Sequence, residues 1–226
     1  MKRIAITSIF VMVPFATMAD QSVYIDQAGE NLTMTITQKS GDGNEIGDVT
    51  APSPYFTIDG DNQTYTINQE GDLNKLRGTV SGDSLTYTLN QIGDGNEFDW
   101  LATLSSYSTL TFNITGSYNL IDLQMGQNAS AEYTTLTYNI AGDDNTFDMV
   151  IDADGVTHTI DVTGDTNAFD ITQTGYGSSL DGHTITMTML GSDNVVTIDQ
   201  STTLAASNIN MVTDGSNQTI TITQSD

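Results

Sequence analysis

The chain of 226 residues has no cysteine, three prolines, one tryptophan and only five basic residues against 29 acidic ones. Without cysteine there are no disulfide staples and no thiolate metal clusters, so packing and hydrogen bonds must order this chain. The shortage of positive charge excludes a nucleic-acid footprint and attraction to anionic lipid, both of which need a basic patch. No apolar run reaches the roughly 20 residues that a membrane-spanning helix takes, so the chain reads as not membrane-embedded. With two histidines and no carboxylate pair that stands apart from its neighbours, no catalytic constellation emerges, and the expectation is a non-enzyme with no required cofactor.

The start of the chain reads as a secretory leader. Met1-Lys2-Arg3 is basic, residues 4–15 are mostly apolar, and Thr17-Met18-Ala19 ends on a small residue that suits a signal peptidase. We expect a signal peptide over residues 1–19 and one domain over 20–226. Removal of the leader takes Lys2 and Arg3 and no acid, leaving three basic and 29 acidic residues, a net charge of −26.

Such a charge with modest hydropathy can signal disorder. Here, however, apolar residues alternate with Thr, Asn and Asp, as in Leu85-Thr86-Tyr87-Thr88-Leu89, and alternation at period two marks strands with one buried face. A turn also repeats: Gly71-Asp72-Leu73-Asn74, Gly93-Asp94-Gly95-Asn96, Gly142-Asp143-Asp144-Asn145 and their relatives. Its asparagines are Asn44, Asn74, Asn96, Asn119, Asn145, Asn167, Asn194 and Asn217, 22 to 27 residues apart after a first gap of 30. Gly and Asn tolerate positive φ, which suits them to a tight corner.

A strand-turn-strand unit cannot bury its apolar face alone, whereas stacked units bury it continuously. The expected fold is therefore all-β, a β-solenoid of about eight strand-turn-strand rungs. A β-sandwich or barrel explains the alternation but not the recurring turn. The expected core includes Tyr65, Tyr87, Phe98, Phe112, Ile121, Phe147, Ile160, Phe169, Met187 and Val196. Residues 49–60, with Pro52 and Pro54, read as a loop between the first two rungs.

These rungs resemble curlin repeats, the amyloid-forming units of curli fibres of Gram-negative bacteria, which run roughly Ser-x5-Gln-x-Gly-x-x-Asn-x-Ala-x3-Gln. Gln69-Glu70-Gly71-Asp72-Leu73-Asn74 and Gln91-Ile92-Gly93-Asp94-Gly95-Asn96 match the first half. Residues 167–173 and 194–200, ending on Gln173 and Gln200, match the second. No rung carries both halves intact. Gln38 lies one residue too far from Asn44, and Gln224 one too far from Asn217. Later rungs place Ile114, Ile140, Val162, Met189 and Val212 where the first Gln belongs, so the chain reads as a divergent member.

The resemblance implies a secreted fibre subunit on the surface of a Gram-negative cell, serving biofilm matrix and adhesion. It also implies self-association into fibres, a nucleator subunit and a curli-type outer-membrane export pore. Inward amides at Gln69, Gln91, Gln173 and Gln200 and at the turn asparagines can bond rung to rung along the axis. The strand with Ile220, Ile222 and Gln224 is the expected fibre-docking edge.

Two further columns stand out. Asp99, Asp122, Asp148 and Asp170 recur three residues after the turn asparagines, and Asp42, Asp72, Asp94, Asp143 and Asp165 follow turn glycines. Either set is a candidate for Ca²⁺, which prefers carboxylate oxygens, or simply a solvated face that blocks lateral aggregation. Thr-x-Thr pairs such as Thr33/Thr35 and Thr86/Thr88 resemble arrays of ice-binding β-solenoids, with Asn113, Asn139 and Asp161 read as breaking the array. The alternatives to a fibre subunit are thus a monomeric calcium- or ligand-binding solenoid and an ice-binding protein.

Overall fold

Alternation with a seven-residue reach sets the building block: strands such as Thr64–Glu70 and Thr86–Ile92 bury three side chains and expose or half-expose the four between them. The computed structural model describes residues 9–12, 22, 23, 25–39, 44–47, 56–71, 73–93, 95–103, 107–116, 118–126, 131–175, 183–201 and 207–225. Within these the protein is all-β, without helix, and its parallel strands stack as a β-solenoid.

The first sheet stacks Thr33–Lys39, Thr64–Glu70, Thr86–Ile92, Thr109–Thr115, Thr135–Ala141, Thr157–Thr163, Thr184–Leu190 and Asn208–Asp214 in chain order. The second stacks Glu45–Ile46, Lys75–Ser81, Glu97–Thr103, Leu120–Met125, Thr146–Asp154, Ala168–Thr174, Val195–Ser201 and Thr219–Ser225. The chain alternates between the sheets, so each repeat is one turn of the coil. Equivalent residues lie on adjacent strands about 4.8 Å apart, and the ten core residues named above are all buried between the sheets.

The turn glycines allow this close stacking. At Gly142 φ is 145°, close to the 143° of its stacked neighbour Gly164, and a Cβ at Gly142 would lie 1.9 Å from the Gly116 carbonyl oxygen. A side chain would push the rungs apart.

Residues 49–60 are not simply a loop. Phe56–Asp59 is a strand of the second sheet, between Ile25–Ala28 and Thr79–Ser81, so the insertion interrupts a strand rather than a corner. Glu45–Ile46 pairs with Lys75 and Leu76, and the strand resumes at Phe56. The side-chain-free Gly78 receives the buried Phe56 ring: an added Cβ would lie 2.6 Å from its Cδ1. Residues 48–55, including Pro52 and Pro54, lie outside the described residues. Ile9–Met12, inside the expected leader, pairs in parallel with Met34–Thr37, so cleavage after Ala19 would uncover that edge of the first sheet.

Candidate functional site

A solenoid turns each repeated residue into a column, and the columns are the candidate sites. One long polar column is inward. Asn44, Asn74, Asn96, Asn119, Asn145, Asn167 and Asn194 are all buried at one corner of the coil. The Asn96 amide donates from Nδ2 to Asn119 Oδ1 at 2.9 Å, Asn119 to Asn145 at 2.7 Å, Asn145 to Asn167 at 2.7 Å and Asn167 to Asn194 at 3.1 Å. Each of these four Nδ2 groups also donates to the carbonyl of the glycine three residues earlier, as from Asn119 to Gly116 at 2.7 Å. Backbone N–H groups join in, with Asn119 N donating to Asn145 Oδ1 at 3.2 Å. A buried amide is costly unless every polar atom is satisfied, and here one side chain satisfies two rungs.

The reason for asparagine at this corner therefore differs from the expected one. The positive φ belongs to the residue before it: Leu73, Tyr118, Asp144, Thr166 and Asp193 lie between 52° and 62°. Asn217 belongs to that positive-φ set, with φ 56°, and is exposed and not a ladder residue. Strand register pairs Val195 with Thr219, which puts Gln218 in the ladder position; its Nε2 donates to the Gly191 carbonyl at 2.7 Å. The extra residue before Gln224 is thus accounted for by the corner.

Glutamine ladders occupy both sheets, at opposite ends of the rod. In the first, Gln91 Nε2 donates to Gln69 Oε1 and Gln69 Nε2 to Gln38 Oε1, both at 2.9 Å. Gln38 is in register despite its offset from Asn44, and the column continues as Ile114, Ile140, Val162, Met189 and Thr213. Thr213, not Val212, holds the last position; Val212 pairs with Thr188 and is exposed. In the second sheet Gln200 Nε2 donates to Gln173 Oε1 at 3.0 Å and Gln224 Nε2 to Gln200 Oε1 at 3.4 Å. Upstream that column is apolar: Ala102, Met125 and Ile151.

Outward, the second sheet carries the continuous column Arg77, Asp99, Asp122, Asp148, Asp170 and Thr197. Arg77 Nε lies 2.7 Å from Asp99 Oδ2 and neutralises that end. Desolvation raises the Asp122 carboxyl above its ordinary value, Gln124 opposes this by hydrogen bonding, and the charges of Asp99 and Asp148 add to the rise. Among the described residues no group of three or more histidine, cysteine or carboxylate side chains is arranged to hold a metal ion. The turn aspartates do something else. Asp143 Oδ1 accepts the Asp165 backbone N–H at 2.6 Å, and Asp61 Oδ1 accepts that of Asp83 at 2.8 Å, so these carboxylates cap the next rung. Asp42, Asp72 and Asp94 lie outside the described residues.

The Asp122 shift has a definite sign. Its folded pKa is raised, so ionisation works against stacking, and that penalty is relieved as pH falls through the raised value. Falling pH should therefore favour the folded coil at this site, and replacing Asp122 with Asn should flatten that response in denaturant titrations. Identical responses of the two proteins would reduce the column to a solvated face.

The outward face of the first sheet is different in kind. Thr33, Thr64, Thr86, Thr109, Thr135, Thr157 and Thr184 form one unbroken column. Thr35, Thr66, Thr88, Thr111, Thr137, Thr159 and Thr186 form the next. Asn113, Asn139 and Asp161 do not interrupt them. They stand in a third column with Asn68 and Asn90, in which Asn90, Asn113 and Asn139 each donate to the preceding asparagine at 2.7 Å.

Sequence reasoning passed over the second corner of the coil and read no site at the two histidines near it. His158 lies in the buried column between Leu136 and Ile185, stacked on Tyr138 with ring centroids 6.4 Å apart. Neither of its ring nitrogens has a hydrogen-bond partner among the described residues. His183 sits at the corner, buried, and its Nδ1 accepts the Val156 N–H at 3.4 Å. The recurrence of Gly60-Asp61-Asn62 and Gly82-Asp83-Ser84 was the available signal for this corner. No family model, curated protein or solved structure matches this chain.

Proposed function

We propose that this chain is the structural subunit of a secreted, curli-type extracellular fibre that grows by end-to-end stacking of coils. The observation that carries the reading is the continuity of its buried amide ladders, which bond each rung to the next along the axis and can extend into a further copy. At one end, Thr219–Ser225 presents a backbone edge with no partner strand among the described residues. The core positions Ile220 and Ile222, in line with buried Val196 and Ile198, are 40% and 45% exposed there. An edge of this kind is a template for another strand. A surface fibre for matrix and adhesion, initiated by a nucleator and delivered through an outer-membrane pore, is the role that fits such a subunit.

The backbone geometry makes the test specific. Thr219 N donates inward to Asn194 O, so in an alternating strand the N–H groups of Ile220 and Ile222 point to the open edge. Ile220→Pro with Ile222→Pro removes those two donors and spares the bonds that hold the strand to its own coil. The chain without residues 1–19 should form fibres with a meridional spacing of about 4.8 Å, and the double variant should elongate far more slowly while its circular dichroism is retained. A protein that stays monomeric for days at high concentration, across pH and calcium, ends the proposal. Unchanged growth of the variant places docking elsewhere.

A further inference from the structure

The geometry points to the outward face of the first sheet as a binding surface for crystalline water. Its occupant is an ice lattice, and the reading stands whether or not the chain forms fibres. Two columns, from Thr33 to Thr184 and from Thr35 to Thr186, hold threonine at all fourteen positions of seven consecutive strands. Parallel in-register stacking sets the hydroxyls about 4.8 Å apart across strands and roughly 6.6 Å apart along them. The interval across strands is close to the shorter oxygen repeat on the prism faces of hexagonal ice. The outer column is exposed from Thr33 to Thr157 and half-buried at Thr184, and the inner column is half-buried throughout.

Threonine suits the task in three ways. Its β-branched side chain has few χ1 choices, so neighbours in a column share one orientation at little entropic cost. Its methyl group favours ordered water against the face, while its hydroxyl anchors that water by either donating or accepting. It is also neutral. Charge would impose its own hydration shell and break the lattice, and on this face it lies outside the two columns, at Asp161 in the asparagine column and at the Lys39–Glu70 pair at the strand ends. A chain with 29 acidic residues puts none in these columns. The outward side of the other sheet instead carries Arg77 and the four aspartates from Asp99 to Asp170. High β-propensity accounts for threonine in strands, but it applies equally to both outward faces and so does not account for this asymmetry. Aromatic rings, the usual platform for polysaccharide, are absent from both columns.

The test is thermal hysteresis, with partitioning into a slowly growing ice front, for the purified chain in soluble and assembled form. Two variants disrupt the array at exposed positions: Thr109→Tyr with Thr135→Tyr, and Thr86→Lys with Thr157→Lys. Thr172→Lys, on the outward side of the second sheet, is the control, and circular dichroism checks that each variant keeps its strands. We expect hysteresis and enrichment in ice for the wild type and the control, and loss to background in both threonine variants. Absence of hysteresis in both forms of the wild type overturns the inference. So does hysteresis that survives both threonine variants, or adsorption to crystalline cellulose or chitin without any effect on ice.

Discussion

Asn145→Leu is expected to lower the stability of the coil by about 3–5 kcal/mol, since each buried polar group left without a partner costs about 1–3 kcal/mol. Asn145 accepts from both the backbone N and Nδ2 of Asn119, at 3.2 and 2.7 Å, and donates to Gly142 O and Asn167 Oδ1 at 2.8 and 2.7 Å. Leucine matches the volume but strands the Asn119 N–H and the carbonyl of Gly142 and removes a donor from Asn167. Asn145→Asp is expected to be worse at neutral pH. It restores the acceptor, but turns a carboxylate oxygen toward two carbonyl-type oxygens in a buried column. Denaturant titration followed by circular dichroism measures both, with Asn139→Thr on the outward ladder as the reference substitution. A loss below about 1 kcal/mol for Asn145→Leu, the typical net worth of a single hydrogen bond, would show that the ladder does not hold the rungs together.

Acid is the second lever. Burial holds the His158 imidazole at a pKa of about 3, with the nearby His183 pushing the same way. His183 is also lowered by burial, against Asp154 and a backbone hydrogen bond at Gly175 that pull it up. Around His158 stand Tyr138, Leu136, Ile185 and His183, none of which offers a carboxylate to stabilise an imidazolium. The folded pKa is depressed, so the contribution of this site to stability is fully present above about 6.5, the unfolded value. It is lost progressively as pH falls toward the folded value near 3. At about 1.4 kcal/mol per pKa unit, the loss between pH 7 and pH 3 is on the order of 5 kcal/mol. His158→Leu, which continues the column from Leu136 to Ile185, should keep stability at pH 7 and remove most of the acid sensitivity. A wild-type midpoint that does not move between pH 7 and pH 4 contradicts the burial argument. This term opposes the relief that acidification brings at Asp122.

Much of the arrangement was readable from local pattern. Tyr87, Leu89 and Gln91 alternate with Thr86, Thr88 and Asn90, and two-residue alternation has one solution when one face must be dry. The inward course of Gln69, Gln91, Gln173 and Gln200 follows from the same phase. What local pattern does not carry is the length absorbed by a corner. Counting from the turn put Asn217 and Val212 in columns that Gln218 and Thr213 occupy, because corner lengths vary while strand pairing holds the register. The same miscount made Asn113, Asn139 and Asp161 look like breaks in the threonine array. Only hydrogen-bonded register shows that they form a column of their own.

The histidines show the other limit. His158 has the period of a core residue but the chemistry of a surface one, and sequence offers no measure of how completely neighbours cover it. Residues 49–60 were punctuated by proline and read as loop, yet Phe56 resumes a strand because Gly78 across from it leaves room for the ring. By itself the sequence determined the all-β solenoid, the inward and outward sets of residues and the turn that repeats, since each depends on periodicity and on residues near in the chain. The tertiary structure alone decided which repeats align, and therefore which amides bond, where the threonines become continuous and how deep His158 lies. Those properties depend on contacts between residues more than 20 positions apart, whose alignment is set by backbone pairing and not by the count of residues between them.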